Sequence, residues 1–235
     1  KVLINVTTDK CYYNHEWVWP YRETDQLGGF DPYSNSKACS ELVSSMARSS
    51  FFNSDHFDTH QKSISTVRAG NVIGGGDWSQ DRLLPDFFRA VMDKRKIKIR
   101  SPHSTRPWQY VLDALSGYMN LAEKMFNDGK RYGSEWNFGP DHTGQSISVE
   151  YILKKLLHLW ELGDDFIEFE NTLLHEAQSL TLDSSKAHHQ LAWHPTLNID
   201  EAILHTSEWY RALINRSNIF DASINLINQY EQRKT

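Results

Sequence analysis

The 235-residue sequence predicts an α/β fold: a parallel sheet with helical crossovers, followed by a smaller mixed α/β unit. Three observations carry this expectation. Residues 2–6 form a short apolar run of the kind shown by a strand covered on both faces. Residues 64–69, opening Ile-Ser-Thr-Val, read as a second strand, and 135–138 as a third buried one stopped by Gly139-Pro140. Helical segments separate these runs, and strand, helix, strand, helix, strand means parallel crossover units.

The elements follow in order. Val2-Leu3-Ile4-Asn5-Val6 opens the chain directly on a strand. Residues 7–32 read as loop, rich in Thr, Asp, Gly and Trp. After the Asp31-Pro32 punctuation a helix is expected over about 33–51. Gly70 to Asp77 breaks the second strand, residues 84–94 read as helix, and Ile97-Lys98-Ile99-Arg100 alternates as a half-exposed strand does. Over 113–127 the apolar residues Leu115, Tyr118, Met119, Ala122 and Phe126 recur at helical spacing. Residues 149–162 form a further amphipathic helix. Two short strand candidates lie near 166–170 and 180–182, and helices at about 184–191, 199–216 and 218–232. The acidic stretch 161–170 reads as a solvated loop, and neither an internal repeat nor a low-complexity tract is present.

Composition narrows the function classes. An aromatic share of 12% is high for a disordered chain. Asp plus Glu exceeds Lys plus Arg, 30 against 25, which argues against nucleic-acid binding by bulk charge. No apolar run approaches the length of about 18 residues needed to span a bilayer. Cys11 and Cys39 supply neither a disulfide framework nor a metal spacing, so a reducing cytoplasm is the expectation.

The residues with most chemical content are Tyr33-Ser34-Asn35-Ser36-Lys37. Positions four apart share a helix face, which sets a phenol beside an ammonium. A free phenol has a pKa of about 10, and a neighbouring cation favours the phenolate. Such a pair takes a proton from a sugar hydroxyl where geometry allows. Tyr-x-x-x-Lys by itself is common on surface helices. Its context is the segment Thr7-Thr8-Asp9-Lys10, placed where a strand ends, and in open α/β sheets ligands bind outside the carboxyl ends of strands. The plain structural reading of Thr8 and Asp9 is a cap or turn.

A Thr-Asp-Lys edge followed by Tyr-x-x-x-Lys resembles the extended short-chain dehydrogenase/reductase superfamily. Further segments resemble, in combination, its CDP-glucose 4,6-dehydratase family. These are Asp9-Lys10-Cys11-Tyr12, Trp17-Val18-Trp19, Tyr21-Arg22-Glu23, Leu27-Gly28-Gly29 and Asp31-Pro32-Tyr33-Ser34. Arg68-Ala69-Gly70-Asn71-Val72-Ile73-Gly74-Gly75-Gly76-Asp77-Trp78, Arg100-Ser101-Pro102, Thr105-Arg106-Pro107-Trp108-Gln109 and Leu182-Asp183-Ser184-Ser185-Lys186-Ala187 belong with them. Each is weak singly, and together they run along almost the whole chain.

The resemblance implies NAD as cofactor and CDP-glucose as substrate. It implies oxidation at sugar C4, loss of water across C5 and C6, and return of the hydride to C6, giving CDP-4-keto-6-deoxyglucose. By similarity Tyr33 accepts the 4-hydroxyl proton, Lys37 holds the nicotinamide ribose and tunes Tyr33, Thr8 hydrogen-bonds the 4-oxygen, and Asp9 protonates the departing 6-hydroxyl. Lys10 stands where related dTDP-glucose dehydratases carry the glutamate that is the C5 base. Either it is buried enough to become a neutral amine, or it stabilises the developing enolate while another group is the base. Asn71 resembles the residue that hydrogen-bonds substrate, and Arg106 the one that contacts the diphosphate, with Arg82 a second candidate for that anion. Gly74 to Gly76 lack a Gly-Lys-Ser/Thr ending and read as a substrate loop. His188 and His189 have no partner at metal spacing, so no metal site is expected.

The Gly-rich turn with which this superfamily binds NAD is not found in the sequence. The expectation is the C-terminal portion of a Rossmann-type parallel sheet plus a smaller mixed α/β substrate-binding domain. Residues 1–69 and 107–138 would form the cofactor-side domain, and 70–106 with 139–235 the nucleotide-sugar side. The first strand would then be an open hydrophobic edge, and this chain alone would bind NAD poorly and tend to aggregate. The family also implies a homodimer packed through the Tyr33 helix, on Leu42, Val43, Met46 and Ala47. Rival readings are another nucleotide-sugar dehydratase, a 4-epimerase, or an inactive fragment that binds a CDP-sugar. The products implied belong to 6-deoxy and dideoxy sugars of bacterial surface polysaccharides.

Overall fold

A computed structural model describes residues 1–141, 147–170 and 179–234. Strand β1 (Val2–Val6) leads through a single 3-10 turn at Asp9–Cys11 and a long loop to helix α1 (Pro32–Ser50). The one-turn helix α2 (Phe57–His60) precedes β2 (Ser63–Ala69), which runs after Gly70 into β3 (Asn71–Ile73). Then come α3 (Leu83–Met92), β4 (Ile97–Ile99), β5 (Trp108–Tyr110), α4 (Val111–Asn127), the short α5 (Gly129–Tyr132) and β6 (Glu135–Phe138). The remainder is α6 (Val149–Leu159), β7 (Ile167–Phe169), α7 (Ser185–Leu191), α8 (Ile199–Ile214) and α9 (Ile219–Arg233).

The main sheet has the order β1-β2-β6, all parallel, in register from Val2 opposite Ser63 and from Thr66 opposite Glu135. Every residue of β2 is buried, as the central strand of a sheet covered on both faces must be. Two parallel pairs, β3 with β5 and β4 with β7, build the second unit. One core lies beneath the main sheet, where Val67, Leu121, Met125, Trp136, Phe138 and Trp193 pack. A larger one unites α3, α6 and α8 around Phe87, Phe88, Leu156, Ile203 and Tyr210. Among the described residues no helix is long and apolar enough to cross a membrane.

Local chemistry explains the helix starts. Asp31 accepts from the amides of Tyr33 and Ser34, Ser34 accepts in return from Asp31 N–H, and Pro32 fills a first-turn position that needs no donor. Asn198 and Glu201 form the same reciprocal pair at α8.

Four expectations require correction. First, β1 is not covered on both faces: Leu3 and Val6 are 52% and 51% exposed, because within the described residues it pairs with β2 alone and its other edge is open. Second, in α4 the residues Leu115, Met119 and Phe126 point to solvent, while Ala114, Gly117, Leu121 and Met125 are buried. The helix carries two apolar stripes. The sheet takes the one where Gly117 lets Phe138 approach, since a Cβ there would lie 2.4 Å from the ring. Third, residues 71–73 do not merely interrupt a strand but form β3. Fourth, 180–182 contributes only an isolated bridge, Leu182 to Tyr21.

Phe88 is fully buried and stacks on Tyr210 with ring centroids 3.8 Å apart, where Tyr210 in turn donates to the Asp77 carbonyl at 2.5 Å. Phe88→Ala is expected to cost about 3–5 kcal/mol. Urea unfolding followed by tryptophan fluorescence checks this, and an unchanged midpoint would refute the core assignment.

Candidate active site

The site is built where β1 and β2 end. Thr8 caps the 3-10 turn, its Oγ1 accepting from Lys10 N–H at 3.4 Å and donating to Asp9 Oδ1 at 2.9 Å. Asp9 is 1% exposed and its other oxygen, Oδ2, has no hydrogen-bond partner. Burial pushes the Asp9 carboxyl up to about 6, against the opposing pull of the Thr8 hydroxyl and the charges of Lys10 and Arg106. Lys10 is exposed at the rim.

Tyr33 enters on the first turn of α1 and is 48% exposed. Its position is fixed by the Asp31 cap and by Asn35, whose side chain bonds both the N–H and the carbonyl of Gly29. Gly29 allows the close approach, because a Cβ there would lie 2.1 Å from Ser34 Oγ. Lys37, one turn on, is half-buried with Nζ 5.8 Å from the Tyr33 ring centroid.

From the second unit, Asn71 opens β3 opposite Trp108, and Gly70 passes Pro107 so closely that a Cβ would meet its ring at 2.3 Å. That pairing sets Asn71 beside the segment that carries Arg106 into β5. Arg106 is buried to 9% exposure and donates to the Thr105 carbonyl at 2.7 Å. Arg82 is exposed at the start of α3. A cleft of about 510 Å³ gathers Thr8, Asp9, Lys10, Tyr33, Asn71, Arg82 and Arg106. Lys37 does not line it. A second cleft of about 610 Å³ shares Lys10 and Arg106 and opens on Tyr13, His15 and Phe30. The Gly loop is seated against α8, where a Cβ on Gly75 would strike the Trp209 ring at 2.1 Å.

Two groups behind the site carried no role in the sequence reading. Glu41, on the same α1 face as Tyr33 and Lys37, pairs with Arg68 of β2 at 2.8 Å, both side chains at most 3% exposed. Glu41 also accepts from Thr7 at 2.5 Å and Thr66 at 2.6 Å. Arg68 donates to Tyr12 OH at 2.7 Å and to the Glu23 carbonyl at 3.1 Å, and Tyr12 donates to Asn137 at 2.7 Å. Burial pushes the Glu41 carboxyl up, yet Arg68 and the two hydroxyls outweigh it and hold it below the usual range. The available signal was the spacing Tyr33, Lys37, Glu41, and a lone arginine inside a buried strand.

The comparisons with known proteins fit this geometry. A UDP-glucuronic acid 4-epimerase from Bacillus cereus, solved with UDP-glucuronic acid and NAD, superposes with a TM-score of 0.76 at 18% identity, over 91% of this chain and 62% of its own. A dTDP-glucose 4,6-dehydratase from Streptomyces venezuelae with NAD bound gives 0.72 at 18%, over 92% and 62%. The fold is that of these NAD-bound nucleotide-sugar dehydratases and epimerases. In sequence the chain is similar to the CDP-glucose 4,6-dehydratase of Salmonella typhimurium, with 45% identity over 100% of this chain and 65% of that protein, so the resemblance read from its motifs holds along the whole length. A human dTDP-D-glucose 4,6-dehydratase is 27% identical over 81% of the chain and 55% of its own length. The chain thus spans less than two thirds of these relatives. No family model matches it.

Two stability predictions follow from these charges. Arg68→Met strands Glu41 in the interior and is expected to cost about 3–5 kcal/mol in denaturant unfolding; a loss below about 1 kcal/mol would show that the Glu41 charge is not left uncompensated in the interior. Asp9 has its folded-state pKa raised from 3.8 to about 6. Its contribution to stability is therefore complete below the unfolded value and is lost as pH rises through the folded one. Asp9→Asn should accordingly be more stable than the parent above about pH 6, with the difference shrinking as pH falls toward 3.8. A pH-independent difference in urea midpoints would refute the burial argument.

Proposed function

We propose that this chain is the catalytic and nucleotide-sugar-binding portion of an NAD-dependent CDP-glucose 4,6-dehydratase. The observation that carries this is the convergence in one cleft of Thr8, Asp9, Tyr33, Asn71 and Arg106, with the Asp9 carboxyl raised to about 6. The similarity to the Salmonella CDP-glucose 4,6-dehydratase supports the substrate.

The residues present fit the nicotinamide end of NAD. Lys37 offers a half-buried ammonium beside Tyr33, suited to ribose hydroxyls, and Asp9 Oδ2 faces no partner of its own. NAD when bound supplies hydride acceptance from sugar C4 and hydride return to C6. The chain's own residues handle the protons. Tyr33 accepts the 4-hydroxyl proton, and Thr8 holds the 4-oxygen. Asp9, its proton retained toward neutrality by burial, gives it to the departing 6-hydroxyl; the C5–H electron pair becomes the C5–C6 double bond as the C6–O bond breaks and water leaves, and the C5 proton passes to a base other than Lys10. Lys10, exposed at the rim, stabilises negative charge on the 4-oxygen as the enolate forms. Arg106 and Arg82 hold the diphosphate, and Asn71 orients the sugar.

Residues 1–69 and 107–138 act as the cofactor side, and 70–106 with 139–235 as the sugar side. Leu42, Val43 and Met46 are exposed on α1, as a helix packed against a second copy requires, and this supports the homodimer.

The test is an NAD titration by calorimetry with light scattering on the same sample, then incubation with NAD and CDP-glucose followed by proton NMR. A dehydratase replaces the C6 hydroxymethyl signals with a methyl doublet; an epimerase does not. Tyr33→Phe and Asp9→Asn are each expected to lower turnover about 100-fold or more. An Asp9→Asn variant with parental turnover would refute its role as the acid. A folded chain that binds neither NAD nor CDP-glucose, even when supplied with a Gly-rich cofactor-binding half, would sink the whole reading.

A further inference from the structure

Three side chains outside the catalytic cleft meet at the end of β6. Asp141 follows Gly139-Pro140, His188 lies in α7, and His194 follows the end of that helix. The fold forces the meeting. Ala192 closes α7 in the left-handed region at φ 52° and turns the chain back. Trp193 is then driven into the core, its Nε1 donating to the Asp113 carbonyl at 3.2 Å and to Ser116 Oγ at 3.1 Å. With Trp193 anchored, His194 folds over His188, ring centroids 4.3 Å apart and 23° from parallel. One ligand atom from each of Asp141, His188 and His194 lies within 4.8 Å of the others.

A second observation concerns His188 alone. Its Nε2 is buried with no hydrogen-bond partner, although Asp141 Oδ1 lies 3.5 Å away. A buried imidazole nitrogen left without a bond is costly, and a ligated ion removes that cost. Sequence spacing did not reveal the group because its members come from three separate segments.

We propose that Asp141, His188 and His194 form a binding site for a divalent transition-metal ion of the zinc type. Two imidazoles and one carboxylate are a borderline-soft ligand set, suited to zinc with a fourth position open to water. Zinc–ligand bonds of about 2.0–2.1 Å require the ligand atoms to draw in by roughly an ångström and the His194 ring to turn out of its stack on His188, so that the in-plane lone pairs of both rings meet at one ion. The exposed Asp141 and His194 have the freedom to do so. The ion clamps the end of β6 to α7 and to the turn before α8. Asp141 also lines a cleft of about 480 Å³ that Arg106 shares, so the clamp lies on the rim of the diphosphate side.

The test uses the untagged 235-residue chain, stripped with chelator and titrated with zinc chloride by calorimetry. Cobalt chloride in a parallel titration reports ligand geometry by its visible spectrum. The expected result is one equivalent bound with a dissociation constant of about 10 µM or tighter. The melting temperature should rise with zinc, and visible cobalt bands should appear. His188→Ala and His194→Ala should weaken zinc binding at least tenfold, and so should Asp141→Asn, whose exposed side chain makes misfolding an unsuitable excuse. His189→Ala, one residue away and exposed, should leave it unchanged. Binding that survives these three substitutions, binding of many weak equivalents, or none at millimolar zinc overturns the proposal.

Discussion

The buried Glu41–Arg68 pair is the constraint on which the site's geometry rests. It joins α1 to the central strand, and through the Tyr12 hydroxyl and the Glu23 carbonyl it reaches the loop that closes over the strand ends. An interior ion pair is poor evidence for stability, since desolvating two charges offsets most of their attraction. What it does supply is orientation. Glu41 sits two turns along the same helix face as Tyr33 and Lys37, so fixing its carboxylate against Arg68, Thr7 and Thr66 fixes the rotation of α1 about its axis. A helix held only by apolar contacts on its short buried stripe, which is mostly Ser and Ala, would be free to roll. The Asp31 cap sets the other end, so the phenol is held in rotation and in depth.

The second unit, the proposed sugar side, is held by a different device. β3 and β5 are three-residue strands that leave the main sheet just after Gly70 and pair with each other. Their pairing sets Asn71 next to the segment carrying Arg106. The larger core then holds that pair through Trp108 and Tyr110. In the proposed reaction, protons are therefore handled by residues fixed on the main sheet and its first helix, while the groups proposed to bind the diphosphate ride on the second unit. Arg106 belongs to both, because its charge also acts on Asp9.

The sequence made the parallel order, most helix positions and the Thr8-Asp9-Lys10 edge legible, because each rests on a local signal: apolar runs, Asp31-Pro32, and the rule that ligands sit where strands end. It missed what is decided by tertiary choice. Strands as short as β3 and β5 have no period to read. α4 offers two apolar stripes, and only contact with Phe138 and Trp136 selects the one built on Gly117, Leu121 and Met125. In sequence Glu41 is one more polar residue of a helix, and only the fold sets Arg68 opposite it. Asp141, His188 and His194 share no spacing that a ligand pattern would flag.

Two carboxyl groups near the end of β1 show how one local environment yields two different acids. Glu41 is buried, but a guanidinium and two hydroxyls satisfy both of its oxygens, and it stays ionised. Asp9 is as deeply buried, yet one hydroxyl serves one oxygen and nothing serves the other, so burial wins and the carboxyl rises to about 6. The charges of Lys10 and Arg106 are near enough to limit that rise and not near enough to cancel it. Environments that push two like groups apart in this way separate a structural anion from a proton donor. A fully paired Asp9 would be a better ion and a worse acid. In the proposed reaction the unpartnered oxygen, a defect by the usual accounting of buried polar atoms, is the feature that would leave Asp9 a proton to give and a direction in which to give it.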